Sequence, residues 1–256
     1  MKKALLTVFI VFLFSNVLSQ AVLKSIDELA NTSVLLYRPS TGEDGTGNLV
    51  FTKNKFFIIT ASHVVKHFDN TTKMVLHLPG DKPLTIDLIS VSKGNSVWQI
   101  HPVADLAIIQ VYPEHIKGFD TLLAKYSFPT DQLYNGSDLE RDLDLTFFGY
   151  PIVEPIGNMN HFSALSFHGT LASGLITINR ADNGRPCDFI FMNIPSMQGC
   201  SGSGVYFNLS KPVMIGGIDR TWMIGIVHGT QGDASGGKVA IITPLSYLKD
   251  WEIQLN

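Results

Sequence analysis

Strand-forming residues in this chain arrive in short bursts separated by Gly, Pro, Asn and Asp, and that punctuation limits the fold more than any other feature. Runs rich in Val, Ile, Leu, Phe and Thr lie at residues 33–37, 48–52, 55–60, 74–78, 84–91, 97–100 and 106–112. A second set follows at residues 144–150, 164–172, 189–194, 204–207, 213–218, 222–227 and 238–242. The stretch from Phe119 to Arg141 has weak strand character and is expected to connect two halves. Strands at a spacing of roughly ten residues, with little helical periodicity, predict an all-β sandwich or barrel. A short C-terminal helix is expected over about 244–253, with Thr243 as N-cap, Pro244 at the first helical position, and an apolar face of Leu245, Leu248 and Trp251 or Ile253.

The N-terminus stands apart from this pattern. Lys2 and Lys3 precede an apolar run from Ala4 to Phe14, and Val17-Leu18-Ser19 supplies small residues for cleavage. Residues 1–19 therefore read as a signal peptide, too short for a membrane span, and predict a secreted or periplasmic protein with no membrane contact after cleavage. The remaining residues, 20–256, suit one all-β domain or two half-domains sharing a cleft. Without Lys2 and Lys3 the 19 basic residues become 17 against 22 acidic ones, a formal charge of −5. That balance argues against a nucleic-acid partner. Two cysteines, Cys187 and Cys200, cannot make a four-ligand zinc site, and no HExxH occurs, so no metal or cofactor is expected. Export permits a Cys187–Cys200 disulfide without requiring one.

Three segments carry chemistry. In Gln198-Gly199-Cys200-Ser201-Gly202-Ser203-Gly204, glycines two before and one after Ser201 allow the tight exposed turn that a nucleophilic hydroxyl needs. The backbone N–H groups of Gly199 and Ser201 would then form an oxyanion hole. In Ile58-Ile59-Thr60-Ala61-Ser62-His63, an apolar strand delivers a histidine among small neighbours, as a general base requires. In His101-Pro102-Val103-Ala104-Asp105-Leu106-Ala107, a carboxylate opens a strongly apolar strand; an imidazolium partner would offset its burial. Each segment alone also fits a plain reading: a Gly/Ser hairpin, a strand-end histidine, a turn-capping aspartate. His67, His77, His115, His161 and His168 read as surface or strand residues. The sequons at Asn31, Asn70, Asn135 and Asn208 matter only in a host that glycosylates them.

Together the three boxes, in the order His, Asp, Ser, resemble those of the trypsin-like (chymotrypsin-fold) serine peptidases, in the form of bacterial secreted members. The likeness spans roughly residues 33 to 250. It implies two six-stranded antiparallel β-barrels, the first over about 33–118 and the second over about 142–243, with the triad His63, Asp105 and Ser201 in the cleft between them. It implies a monomer that cuts polypeptide substrates through an acyl-enzyme. Gly45-Thr46-Gly47 is similar to the family's turn leading towards the histidine strand. Ile224-Gly225-Ile226-Val227-His228-Gly229-Thr230 resembles the edge strand that pairs with substrate and walls the primary pocket, which makes His228, Gly229 and Thr230 substrate-binding candidates. Pro195, Ser196 and Met197 would lie at the pocket base and supply no negative charge for Lys or Arg. Cys200 stands where digestive members carry an activation aspartate, so no zymogen switch of that kind is expected. Ser203-Gly204 replaces Gly-Pro. As a nucleophile Cys200 is disfavoured, because Gln198 and Ser201 occupy the positions where glycines would be needed. Two other readings compete: an inactive binding protein on the same fold, and an esterase, which would want Gly-x-Ser-x-Gly on a strand-to-helix elbow.

Overall fold

The computed structural model describes residues 25–53, 55–78, 83–92, 98–136, 139–151, 162–207, 214–215, 218–219 and 221–251. The expected signal peptide, His161, the Asn208 sequon and residues 252–253 lie outside them. The chain is mostly β, folded as two sheets. The first contains β1 (Ser33–Arg38), β2 (Glu43–Thr52), β3 (Lys55–Thr60), β4 (Lys73–Leu76), β5 (Leu84–Asp87), β6 (Gln99–Ile100), β7 (Ala107–Val111) and β8 (Phe128–Pro129). Its order is β5-β4-β1-β2-β3-β7-β6, antiparallel throughout, with β8 added in parallel to β2. The second comprises β9 (Asp144–Gly149), β10 (Leu165–Thr170), β11 (Ile176–Asn179), β12 (Pro186–Met192) and β13 (Gly204–Phe207). After the small hairpin of β14 (Met214–Ile215) and β15 (Ile218–Asp219), β16 (Met223–Gly232) and β17 (Lys238–Pro244) complete it in the order β10-β9-β13-β16-β17-β12-β11.

The two-lobed, mostly antiparallel β architecture is as expected, but its strand count is not. The sheets hold eight and seven strands along open paths, in place of two closed six-stranded barrels. Three local expectations also change. Gly45-Thr46-Gly47 is the middle of β2 and not a turn. The connecting stretch forms a helix, α3 (Phe119–Tyr126), after α1 (Ile26–Ala30) and α2 (Ser62–Val65); Gly118 opens it at φ 77°, and Phe119, Leu123 and Tyr126 are its buried face. At the C-terminus Pro244 ends β17, and Leu245–Trp251 is a 3₁₀ helix. Leu245, Leu248 and Trp251 are all buried, and a spacing of three puts them on one side of a three-residue turn. Among the described residues no helix is long and apolar enough to cross a membrane.

Each sheet has its own core, and a third apolar cluster joins them. Val34, Leu36, Leu49, Ile58, Met74 and Leu76 fill the first; Leu145, Phe147, Val205, Ile224, Val227 and Ile242 fill the second. Val50, Ile59 and Ala61 from the first lobe meet Tyr206, Ile226 and Trp251 from the second. Polar bonds then set the register between lobes. Thr46 N–H donates to the Ser201 carbonyl at 2.8 Å and Thr46 Oγ1 donates to the Gly199 carbonyl at 2.8 Å. Asn48 Nδ2 donates to the carbonyls of Gly202 (2.7 Å) and Ile59 (3.2 Å), while its Oδ1 accepts from Gly204 N–H at 2.8 Å. Strand β2 is thus stapled to the turn that precedes β13, and no room is left there: a Cβ on Gly202 would overlap the Thr46 carbonyl oxygen.

Replacing Asn48 by Ala strands buried groups on both sides of this staple. The expected loss is about 1–3 kcal/mol, the ordinary cost of unsatisfied buried partners. Urea unfolding should show a lower midpoint with an unchanged slope.

Candidate active site

β3 ends at Thr60, and Ala61, in extended conformation, turns the chain into α2, which carries His63 to the boundary between the lobes. Asp105 comes from the loop before β7. That loop is folded around His101, whose Nδ1 accepts the N–H groups of Val103 (3.1 Å) and Ala104 (2.8 Å), while its ring packs on Tyr247 and Trp251. Asp105 is fully buried. Its Oδ2 accepts His63 Nδ1 at 2.7 Å, and its Oδ1 accepts His63 N–H at 3.0 Å. To donate, His63 carries its proton on Nδ1, which leaves Nε2 as a proton acceptor.

Other donors complete the carboxylate's shell. His228 Nδ1 reaches the same Oδ2 at 2.5 Å. Ser62 Oγ donates to Oδ1 at 2.6 Å, and Arg180 Nη2 lies 3.1 Å from that oxygen. Burial alone would raise the Asp105 pKa, but hydrogen bonds from His228 and His63, with their charge, more than reverse it and hold the carboxyl well below its usual range. His63, Asp105 and His228 place three metal-type ligand atoms within 4.8 Å of one another. Yet Nδ1–Oδ2 separations of 2.5 and 2.7 Å suit shared protons; two ligands on one tetrahedral zinc, with bonds of about 2.0–2.1 Å, would stand farther apart.

Ser201 sits on the turn that begins β13, between Gly199 (φ 86°) and Gly202 (φ 89°). Both glycines occupy backbone angles that side-chain-bearing residues avoid. Cys200 N–H, Gly202 N–H and Ser203 N–H donate to Met197, Val227 and Cys200 carbonyls. The N–H groups of Gly199 and Ser201 donate to no other described residue. Ser201 and His63 line one cleft of about 400 Å³ with Asp44, His67 and Gly199. The two are not hydrogen-bonded: Ser201 Oγ donates to the His228 carbonyl at 3.2 Å. His63 and Asp105 are therefore joined, and Ser201 is beside them but turned to a neighbouring acceptor.

The three substrate-binding candidates border one cleft, and His228 also reaches the carboxylate. His228 lies at a bulge in β16 between Val227 and Gly229. Its ring turns inward to Asp105, meets His63 edge-on at a centroid distance of 5.3 Å, and leaves 6% of the side chain exposed. His228, Gly229 and Thr230 all line a second cleft of about 290 Å³, with His63, Asp182 and Gln231. Residues 229–232 pair with β17 on one side only, because β13 reaches no farther along β16 than Ile226. Thr230 Oγ1 also clamps Ser196, accepting its N–H at 2.8 Å and donating to its carbonyl at 2.7 Å. Both cysteines are free and buried, in different clusters. Burial pushes the Cys200 thiol up to about 11, far from a thiolate at neutral pH.

Arg180 and Ser62 were not singled out in the sequence. Arg180 follows β11, itself unforeseen, and the side chain is 4% exposed. One signal was available for Ser62: a hydroxyl immediately before the histidine. For Arg180 there was none, since it stands in an ordinary polar turn 75 residues from Asp105.

No protein-family model matches the chain, and no curated protein matches it in sequence. Among solved structures it is similar to the active form of the Rv3671c protease of M. tuberculosis. The match has a TM-score of 0.56 at 16% identity and covers 89% of this chain and 82% of that one. The likeness is one of fold.

The depressed Asp105 carboxyl makes a pH prediction. A folded-state pKa below the unfolded value of about 3.9 stabilises the fold above that pH, and the contribution is lost as pH falls through the folded value. Unfolding free energy measured in urea should therefore drop below about pH 4, and the drop should be shallower in Asp105→Asn.

Proposed function

We propose that this chain is an exported serine endopeptidase, acting as a monomer on polypeptides. The observation that carries this reading is the shared cleft of His63 and Ser201, with a buried carboxylate on the far nitrogen of the imidazole and, beside the hydroxyl, two amides that donate to no described residue. In the proposed reaction His63 Nε2 takes the Ser201 proton as the hydroxyl oxygen attacks a peptide carbonyl. The Gly199 and Ser201 N–H groups receive the oxyanion, His63 protonates the departing amine, and water repeats the sequence on the acyl-enzyme. The reaction requires the Ser201 hydroxyl to leave the His228 carbonyl for His63, and catalytic hydrogen bonds commonly tighten only when substrate binds. The one-sided edge at 229–232 gives a substrate strand its backbone partners, and the same strand's N–H groups would compete for the His228 carbonyl.

Specificity follows from what lies near Ser201. The Thr230–Ser196 clamp stands on the side on which a primary pocket is expected, and residues 195–197 bring no carboxylate. Small uncharged side chains before the scissile bond fit best. His228, with Nδ1 held by Asp105, is poorly placed to select an acidic side chain.

The Ser201–His228 bond favours one other reading, an inactive protein that binds peptides on the same edge. A fluorophosphonate probe separates the two. The peptidase labels at Ser201, loses the label in Ser201→Ala, and slows by at least about 10³-fold in His63→Ala, the scale seen when a triad member is removed. Absence of labelling in the intact mature chain would favour the binding protein. In a peptide library, Thr230→Gly should broaden cleavage towards larger residues before the scissile bond.

A further inference from the structure

Among the described residues Arg180 is the one buried guanidinium that touches the centre of the site, and the mechanism above gives it no role. It reaches the first lobe from the turn between β11 and β12, which its own backbone closes by bonding Arg185 O and Gly184 N–H. Asp182 holds the guanidinium in place through Nε and Nη2, both at 2.8 Å. From there Nη1 donates to the Val103 carbonyl at 2.9 Å, and Nη2 meets Ser62 Oγ at 2.7 Å and Asp105 Oδ1 at 3.1 Å. A single side chain of the second lobe thus grips the loop that carries Asp105, the helix that carries His63, and the carboxylate that joins them.

We infer that Arg180 is a positioning residue for the proposed triad: it fixes the Asp105 carboxylate through Oδ1, so that Oδ2 faces His63, and it does so only when the two lobes are docked. The inference rests on the peptidase reading. Its logic is one of occupancy. Oδ1 is taken by Arg180, Ser62 and the His63 N–H, so the carboxylate cannot swing, and Oδ2 is left for the two imidazoles. The rigid fork of an arginine can hold three acceptors at once; an ammonium cannot hold them in this geometry.

A charge consequence accompanies the geometric one. The ionisable groups around the His63–Asp105 pair are His228 from β16, Arg180 and Asp182 from the hairpin turn, and Cys187 from β12, with Glu43, Asp44 and His67 across the cleft. Arg180 is the permanent cation among them. Without it, an imidazolium at His63 keeps a larger share of the Asp105 charge and forms more readily.

The test compares fluorophosphonate labelling of the mature wild type, Arg180→Met and Arg180→Lys from acid to neutral pH, with circular dichroism to establish that each is folded. In Arg180→Met, labelling should slow about tenfold to a hundredfold, the range that a small misplacement of a catalytic group costs. The acid limb of its pH profile should also move to higher pH. Arg180→Lys should slow less and keep the wild-type limb, because the charge stays and the fork is lost; if the Met variant does not fold, this variant carries the test. A wild type that fails to label removes the peptidase reading and the inference with it. A wild type that labels, with folded variants matching its rate within twofold and sharing its acid limb, overturns the inference alone.

Discussion

The site is organised around one buried carboxylate. Asp105 is inaccessible to solvent, and a charged group there would be untenable without compensation. Compensation comes from both lobes. His63 and Ser62 approach from the first, and His228 and Arg180 from the second. Removing any one of them would leave part of a buried charge exposed to an apolar surrounding, which is why the four constrain one another so strongly. The lobes are consequently bound by more than their common apolar cluster: docking them completes a charge cluster that neither contains alone.

A second staple acts at the other end of the site. Thr46 and Asn48, on neighbouring turns of the pleat in β2, bond the carbonyls of Gly199, Ser201 and Gly202. These bonds point the carbonyls of the turn towards β2, and the amides of Gly199 and Ser201 have no acceptor among the described residues. The glycine requirement has in part the same origin. With β2 this close, a side chain at position 202 would strike the Thr46 carbonyl, whereas one at 199 would strike the Tyr150 carbonyl of its own lobe. Geometry that looks local to the Ser201 turn is therefore imposed in part from the other lobe.

Much of this was legible in the sequence, for identifiable reasons. Most β-strands announced themselves because apolar bursts end at turn residues, and His63, Asp105 and Ser201 stood out because each box places a reactive group among small or apolar neighbours. What escaped depends on contacts between distant segments. Helix α3 was missed although Phe119, Leu123 and Tyr126 recur at helical spacing, because the surrounding polar residues diluted the pattern. The facing of His228 could not be read at all. Its strand is broken by a bulge between Val227 and Gly229, and simple alternation of faces fails at such a point. A residue expected at the cleft does line it, but its ring is also bonded to Asp105. Arg180 was hidden more completely, since nothing in its turn hints at a carboxylate in the opposite lobe.

His228 then links the two ends of the site. Its imidazole bonds Asp105 and its carbonyl accepts the Ser201 hydroxyl, so one residue of the edge strand touches both Asp105 and Ser201. The bulge is what makes this double contact feasible, because it allows ring and carbonyl to serve neighbouring groups that a regular strand would place in different directions. Residues 229–232 continue from that point with one edge open. A peptide adding to this edge would bind beside the bulge, next to the carbonyl that occupies the Ser201 hydroxyl. Under the proposed reaction, peptide binding and release of the Ser201 hydroxyl would be coupled through this single strand position.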